Sequence, residues 1–228
     1  PILTMKIITT IFFLIFTGWV LAQSNKDWGE QKNGTYNNPI IPGDFSDIDA
    51  IRVGDDFYAI SSTLHLSPGM AVLHSKDLVN WEIVSHVVSD LTQISTELNW
   101  DKLNRYGKGI WAGSIRYYNS RFWVYFGTPN HGFFMSSAES PEGPWEKLHH
   151  LWDVSGWDDC CSFLDDDGKL YFIATNFALD PKNNKKYNIH LFQMTPDGKQ
   201  LKFETDSIIY QARGSEANKL YKINGLYY

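Results

Sequence analysis

The chain has 228 residues, of which 43% are hydrophobic and 15% aromatic, and its formal net charge is −6. This length and apolar content are enough for one domain with a substantial core. The acidic balance argues against a nucleic-acid-binding surface, which is typically basic. Nine Trp and twelve Tyr suit stacking on a neutral sugar, although β-rich folds also use aromatic residues for packing.

The N-terminus has the pattern of an export signal. Met5 and a lysine precede the apolar run Ile7–Phe16, and Val20–Ala22 offers the small residues of a signal-peptidase site. The run is short for a transmembrane helix. We therefore predict a signal peptide over residues 1–22, with stray residues before Met5, and then a polar arm over 23–37. The mature protein is expected to be secreted or periplasmic, with no membrane contact after cleavage.

From residue 38 onward, short apolar strands alternate with Gly, Asn and Asp turns, which is typical of an all-β domain. In Ile40–Tyr58 a Pro-Gly turn leads into an acidic segment with Asp47, just ahead of a Gly-Asp-Asp turn and an aromatic strand. Ser89–Arg105 shows no long amphipathic helix and is predicted to be an insertion between strands.

The two cysteines, Cys160 and Cys161, are adjacent. Neighbouring residues are too close for an ordinary disulfide, so two small buried residues are predicted, with a strained vicinal disulfide as the alternative. A zinc site or a disulfide framework does not fit this count, and no metal ligands are predicted. Acids within turns, such as Asp165, are expected to be solvated caps, and the seven histidines are expected at the surface or in turns.

One layout occurs four times along the chain, with a distinctive side chain ten to twelve residues before an aromatic residue that follows a turn. The pairs are Asp47 and Phe57, Trp111 and Phe122, Asp159 and Tyr171, and Glu216 and Tyr227. Each complete unit carries about four predicted strands. Repeated four-stranded units are typical of a β-propeller. The alternative, a β-sandwich, would leave the recurring position of these residues unexplained.

In a propeller the innermost strands line a central channel, so Asp47, Asp159 and Glu216 are expected to converge on one pocket. Hydrolysis of a glycosidic bond requires one protonated acid at the leaving oxygen and one carboxylate that activates water. The longer side chain makes Glu216 the candidate acid, and Asp47 is the candidate base. Asp159 lies where its negative charge would keep the proton on Glu216.

Five stretches carry a resemblance to a known family. They are NPIIPGDFSDIDAIRVGDDFYAISST (38–63), SPGMAVLHSKDLVNWE (67–82), GKGIWAGSIRYYNSRFWVYF (107–126), DDCCSFLDDDGKLYF (158–172) and GSEANKLYKINGLYY (214–228). In type and order they resemble glycoside hydrolase family 43, the five-bladed propeller glycosidases. The resemblance implies inversion of configuration, with Asp47 as general base, Asp159 as pKa modulator, Glu216 as general acid, and Trp111 shaping the sugar subsite.

The nearest branch contains β-xylosidases and α-L-arabinofuranosidases, which implies cleavage of terminal xylose or arabinofuranose from plant hemicellulose fragments. The partner is then an oligosaccharide or polysaccharide, and no cofactor is required, although the resemblance allows a structural calcium or sodium ion in the axial channel of the complete protein. The alternatives are a non-catalytic sugar-binding propeller and a related propeller glycosidase that acts on arabinan or fructan.

The chain departs from the family pattern in three places that bear on its substrate preference. Ile48 follows the base where many relatives have proline, Ala217–Lys219 replaces Gly-Pro-His after the acid, and Leu64 replaces an aromatic wall. Three units and the start of a fourth do not close a five-bladed ring. We therefore expect residues 38–228 to form an incomplete β-propeller of about three and a half blades, which alone would be poorly stable and inactive because strand edges are exposed.

Overall fold

The computed structural model describes residues 29–178 and 186–228, and the chain divides into two units, Pro1–Pro42 and Gly43–Tyr228. In the first unit, β1 (Gly29–Glu30) and β2 (Tyr36–Asn37) form a small antiparallel hairpin. The predicted signal peptide lies outside the described residues. Within the described ranges no helix is both long and apolar enough to cross a membrane.

The second unit contains three four-stranded antiparallel sheets, each with its strands in chain order. Sheet 1 comprises β3 (Ser46–Val53), β4 (Asp56–Ser62), β5 (Gly69–Ser75) and β6 (Trp81–Val88). Sheet 2 comprises β7 (Gly113–Tyr118), β8 (Arg121–Thr128), β9 (Gly132–Ala138) and β10 (His149–Trp152). Sheet 3 comprises β11 (Trp157–Leu164), β12 (Leu170–Asn176), β13 (Lys186–Met194) and β14 (Leu201–Arg213). These sheets confirm the all-β prediction and the four-stranded repeat.

The first strands of the three sheets lie side by side, because β7 packs against both β3 and β11. A short hairpin, β15 (Lys222–Ile223) and β16 (Leu226–Tyr227), follows the third sheet. The predicted insertion between sheets 1 and 2 is confirmed, and it contains three short 3-10 turns, at Leu91–Gln93, Thr96–Leu98 and Leu103–Arg105. The side chain of Asp90 caps the first of these turns by accepting a hydrogen bond from the Thr92 amide.

Two apolar clusters fill the space between neighbouring sheets. The cluster between sheets 1 and 2 is mainly aliphatic, with Ile60 and Ile115 fully buried. The cluster between sheets 2 and 3 is richer in aromatic residues, and its Phe133 and Phe172 rings meet edge to face at 5.2 Å. The buried Tyr125 hydroxyl donates to the Gly198 carbonyl at 3.1 Å, so its polar group is satisfied.

Two expectations about polar residues were wrong. Asp165 is not a solvated cap, because its side chain is only 12% exposed and pairs with Lys222 Nζ at 2.7 Å. This ion pair links the β11–β12 turn to the terminal hairpin, a contact between distant segments that turn composition does not reveal. His190 is not a surface or turn residue, because it is buried in β13 with Nδ1 2.8 Å from Asp206 Oδ1. Its ring packs on Trp157, which explains its burial.

Candidate functional site

One pocket of about 480 Å³ is lined by all four residues that sequence analysis assigned to a site: Asp47, Trp111, Asp159 and Glu216. They come from four separate segments: β3, the approach to β7, β11, and the stretch between β14 and β15. The repeat therefore does bring residues more than a hundred positions apart to a single cavity.

Asp47 lies within β3 itself, at a β-bulge between Ser46 and Asp49. Its φ of 55° is in the left-handed region, which Asp tolerates better than most residues. The bulge re-aims the side chain out of the regular alternation of the strand. Its Oδ2 accepts hydrogen bonds from the Ser62 hydroxyl at 2.6 Å and the Ser46 hydroxyl at 3.3 Å. Both bonds fix the carboxyl group at the pocket.

Asp159 has the same local structure in sheet 3. It lies at a bulge between Asp158 and Cys161, and its φ is 51°. Its Oδ2 accepts a hydrogen bond from the Ala217 amide at 2.8 Å. Burial raises the pKa of the Asp159 carboxyl; the Ala217 amide and Lys219 oppose this shift, and the charge of Asp47 adds to it. The carboxyl groups of Asp47 and Asp159 therefore interact electrostatically.

Glu216 is carried by a segment that belongs to no sheet, so its position depends on the hydrogen bonds of the neighbouring residues. Three consecutive residues after it bind three different strands. The Ala217 amide donates to Asp159, Asn218 Oδ1 accepts from the Thr175 hydroxyl, and Lys219 Nζ donates to the Gly113 carbonyl at 2.8 Å. Ala217 has a φ of 59°, so a left-handed residue recurs in the fourth unit, directly after the acid. The Glu216 side chain itself is exposed and free to meet a ligand.

Aromatic rings form one wall of the pocket. Trp111 is held by a hydrogen bond from Nε1 to the Gly107 carbonyl at 2.8 Å, and its ring stacks on Phe177 with 6.5 Å between centroids. Phe177 and Tyr187 also line the pocket, and sequence reasoning missed both. Phe177 directly follows β12 and Tyr187 lies near the start of β13, and the sequence offers no pattern that marks either position. Leu64 also lines the pocket. In the sequence resemblance, it is the residue that replaces an aromatic side chain of the family pattern.

A fourth carboxyl group, that of Asp158, was also missed. It lies in the pocket wall, is 2% exposed, and has no hydrogen-bond partner for either oxygen among residues 29–178 and 186–228. It occupies space that exists only because residue 127 is glycine, since a Cβ at Gly127 would overlap Oδ1. Burial and the charge of Asp159 raise the pKa of Asp158 well above its usual range.

Both cysteine thiols are free and buried, as the first of the two cysteine alternatives predicted. In the part of the chain that the structure describes, no three His, Cys, Asp or Glu side chains are grouped closely enough to hold a metal ion. The titratable side chains that line the pocket are four carboxyl groups and the Tyr187 hydroxyl. They can donate and accept protons, and the aromatic wall offers a stacking surface for a sugar ring.

Comparison with known proteins gives consistent matches. The chain is 39% identical over 203 residues to a putative beta-xylosidase of Xylanibacter ruminicola, covering 89% of this chain and 36% of that protein. It is 38% identical over 147 residues to the non-reducing end alpha-L-arabinofuranosidase BoGH43B of Bacteroides ovatus, covering 61% of this chain and 26% of that protein. The chain thus spans about a third or less of the length of these relatives.

The fold comparison agrees with the sequence comparison. The solved structure of a xylan beta-1,4-xylosidase from Bacillus halodurans superposes with a TM-score of 0.70 at 29% identity, covering 83% of this chain and 37% of that one. This similarity confirms the predicted propeller architecture, in which the three four-stranded sheets are blades. The sequence profile of glycosyl hydrolases family 43 matches residues 36–228, which include every residue of the pocket. The chain belongs to glycosyl hydrolases family 43.

Proposed function

We propose that this chain carries the catalytic acids of an exported inverting glycosidase that releases terminal xylose or arabinofuranose from hemicellulose fragments. The observation that supports this most strongly is the convergence of Asp47, Asp159 and Glu216 on one pocket with an aromatic wall. Binding a neutral sugar alone would not require three carboxyl groups, because each carries a desolvation cost. The proposal therefore favours hydrolysis over simple sugar binding.

In the proposed reaction, Asp47 is the general base and Glu216 the general acid. Asp47 removes a proton from a water molecule as the water oxygen attacks the anomeric carbon. The bond between the anomeric carbon and the leaving oxygen breaks, and Glu216 donates its proton to that oxygen. Because water attacks the face opposite the leaving group, the configuration inverts. Asp47 then releases a proton to solvent and Glu216 takes one up, so both residues return to their starting states.

Asp159 has two roles in this proposal. Its hydrogen bond to the Ala217 amide holds the backbone next to Glu216. Its carboxyl group also adds negative charge beside the acid, and such charge favours the protonated form of a neighbouring carboxyl group. Trp111 and Phe177 provide the apolar surface for the sugar ring.

The substrate class rests on the names of the relatives, a putative beta-xylosidase and an alpha-L-arabinofuranosidase. Xylose and arabinofuranose are both neutral pentoses, which agrees with a pocket that has no free cationic lining residue among those described.

The proposal that the protein is exported rests on the sequence of residues 1–22. N-terminal sequencing of the mature protein should find Gln23 as the first residue.

Hydrolysis of an aryl β-xyloside and an aryl α-L-arabinofuranoside by the full-length gene product tests the proposal. We expect turnover of at least one substrate, with Asp47→Asn reducing kcat by about 10²- to 10⁴-fold, the usual contribution of general acid–base catalysis. Asn also tolerates a left-handed φ, so the variant should fold normally. Asp55→Asn, in the exposed β3–β4 turn, is the matched control and should retain full activity. A folded protein with no turnover of either substrate would contradict the proposal.

A further inference from the structure

Arg116, on β7, joins the two strands that carry Asp47 and Asp159. Its side chain is 13% exposed, and Nη1 donates to Asp49 Oδ2 at 2.7 Å. Its other terminal nitrogen, Nη2, donates to Cys161 Sγ at 2.7 Å. One guanidinium group therefore binds sheet 1 with one nitrogen and sheet 3 with the other, and the fixed geometry of the guanidinium limits how far the two sheets can separate.

The two partners of Arg116 occupy equivalent positions. Asp49 lies two residues after Asp47, and Cys161 lies two residues after Asp159. In each strand, the residue that binds Arg116 is the one at which regular strand pairing resumes after the bulge. Asp49 pairs with Ile60 of β4, and Cys161 pairs with Ile173 of β12. Arg116 thus holds the end of both bulges, and each bulge aims one carboxyl group at the pocket.

Both partners are fixed by second hydrogen bonds. Asp49 Oδ2 also accepts from the Ile115 amide at 2.9 Å, and the Cys161 thiol donates to the Ser162 carbonyl at 3.4 Å. Asp49 and Cys161 are both almost fully buried. Burial opposes the charge of Arg116, but Cys161 and Asp49 together raise its pKa above the ordinary arginine value. The connection is therefore a rigid, charged and mainly buried contact.

We propose that Arg116 is a positioning residue that sets the separation between the Asp47 and Asp159 carboxyl groups. Through the bond from Asp159 to the Ala217 amide, the same contact also sets the distance from Asp47 to Glu216. An inverting hydrolase needs a defined gap between base and acid that leaves room for water. The catalytic part of this inference rests on the proposed function, whereas the positional part does not.

The matched pair Cys161→Ala and Cys161→Ser tests the sheet 3 contact without leaving a buried charge unpaired. Alanine removes the acceptor for Nη2, and serine keeps one. In the full-length gene product we expect Cys161→Ala to lower kcat by about 10-fold with KM changed by less than about 3-fold, since small misplacements of catalytic groups cost rate before binding. Cys161→Ser should recover most of the loss, which a simple packing role for the sulfur would not explain.

The double variant Arg116→Met/Asp49→Asn removes the whole contact and both charges. We expect a loss in kcat of up to about 100-fold, and crystal structures in which the distance between the Asp47 and Asp159 carboxyl groups changes by more than about 0.5 Å, the tolerance of such sites. Arg121→Met is the control, because Arg121 pairs with Glu139 and Glu146 away from the pocket. It should leave kcat and this distance unchanged.

An unchanged carboxyl separation in Cys161→Ala and in the double variant would overturn the inference. If the double variant does not fold, the Cys161 pair decides alone. If the wild-type protein hydrolyses no glycoside, the proposed function fails, and the crystallographic separation still decides whether Arg116 positions the two carboxyl groups.

Discussion

Asp47 and Asp159 both combine an unfavourable backbone conformation with a carboxyl group at a pocket. Non-glycine residues at φ values of 55° and 51° cost about 1 to 3 kcal/mol each, and such residues cluster at functional sites. Both lie at bulges in equivalent strands. The coincidence of strain, bulge and carboxylate in two separate sheets favours a role in binding or catalysis over a role in folding.

Asp158 leads to a prediction about stability and pH. Its pKa is raised in the folded protein, chiefly by burial, so the folded state keeps a proton that the unfolded state loses above about pH 4. Stability is therefore lost as pH rises from about 4 through the raised pKa. Asp158→Asn replaces the protonated acid with a neutral group of similar shape. We expect the variant to match the wild-type Tm near pH 4 and to exceed it at pH 8.

Thermal unfolding of both proteins across this pH range provides the measurement. Asp55→Asn serves as the control, because its side chain is 95% exposed. Parallel Tm curves for the wild-type protein and Asp158→Asn would show that Asp158 is ionised in the folded state as readily as in the unfolded chain.

At the scale of elements, sheets 2 and 3 meet closely where Gly127 of β8 faces Asp158 of β11. A Cβ at Gly127 would overlap the Asp158 carboxyl group. We expect Gly127→Ala to destabilise the protein by about 1 to 3 kcal/mol, the usual cost of overpacking. Chemical denaturation measures this change. The double variant Gly127→Ala/Asp158→Ala should regain most of the loss, and strict additivity of the two single effects would show that the residues do not interact.

The terminal hairpin gives a second prediction at this scale. Lys222, and then Tyr227, lower the pKa of Asp165 to about 2 by hydrogen bonding to its carboxylate. This stabilisation is complete above the unfolded pKa of about 4 and is lost as pH falls from about 4 to 2. We expect the protection factors of the β15–β16 amides, taken relative to the intrinsic exchange rate at each pH, to fall over that range. In Asp165→Asn the amides should already exchange faster at pH 6; equal protection in both proteins at pH 6 would contradict the assignment.

Across the whole molecule, local periodicity was enough to predict the repeat. Asp47, Asp159 and Glu216 each precede a turn and an aromatic strand at nearly constant spacing, and a propeller converts this spacing into proximity. Contacts between sheets were not predictable, because no local pattern indicates that Arg116 reaches both Asp49 and Cys161.

Other features were missed for related reasons. The buried position of the Asp158 carboxyl group depends on the absence of a side chain at Gly127, which lies in a different sheet. The bulges were not predicted because the sequence around Asp47 reads as a turn followed by a strand. In the structure the strand already begins at Ser46 and includes the acid. Phe177 and Tyr187 lie at strand ends, where aromatic residues carry no distinctive pattern.

Inverting hydrolysis is the activity that we propose for the pocket of Asp47, Asp159 and Glu216. The most direct test is proton NMR of the first sugar released from an aryl β-xyloside or aryl α-L-arabinofuranoside by the full-length gene product, recorded before the anomers interconvert. Direct attack by water requires the product to have the opposite anomeric configuration to the substrate. We expect the inverted anomer first. Initial release of the anomer with the substrate's own configuration would require a covalent sugar–enzyme intermediate and would contradict the assigned roles of Asp47 and Glu216.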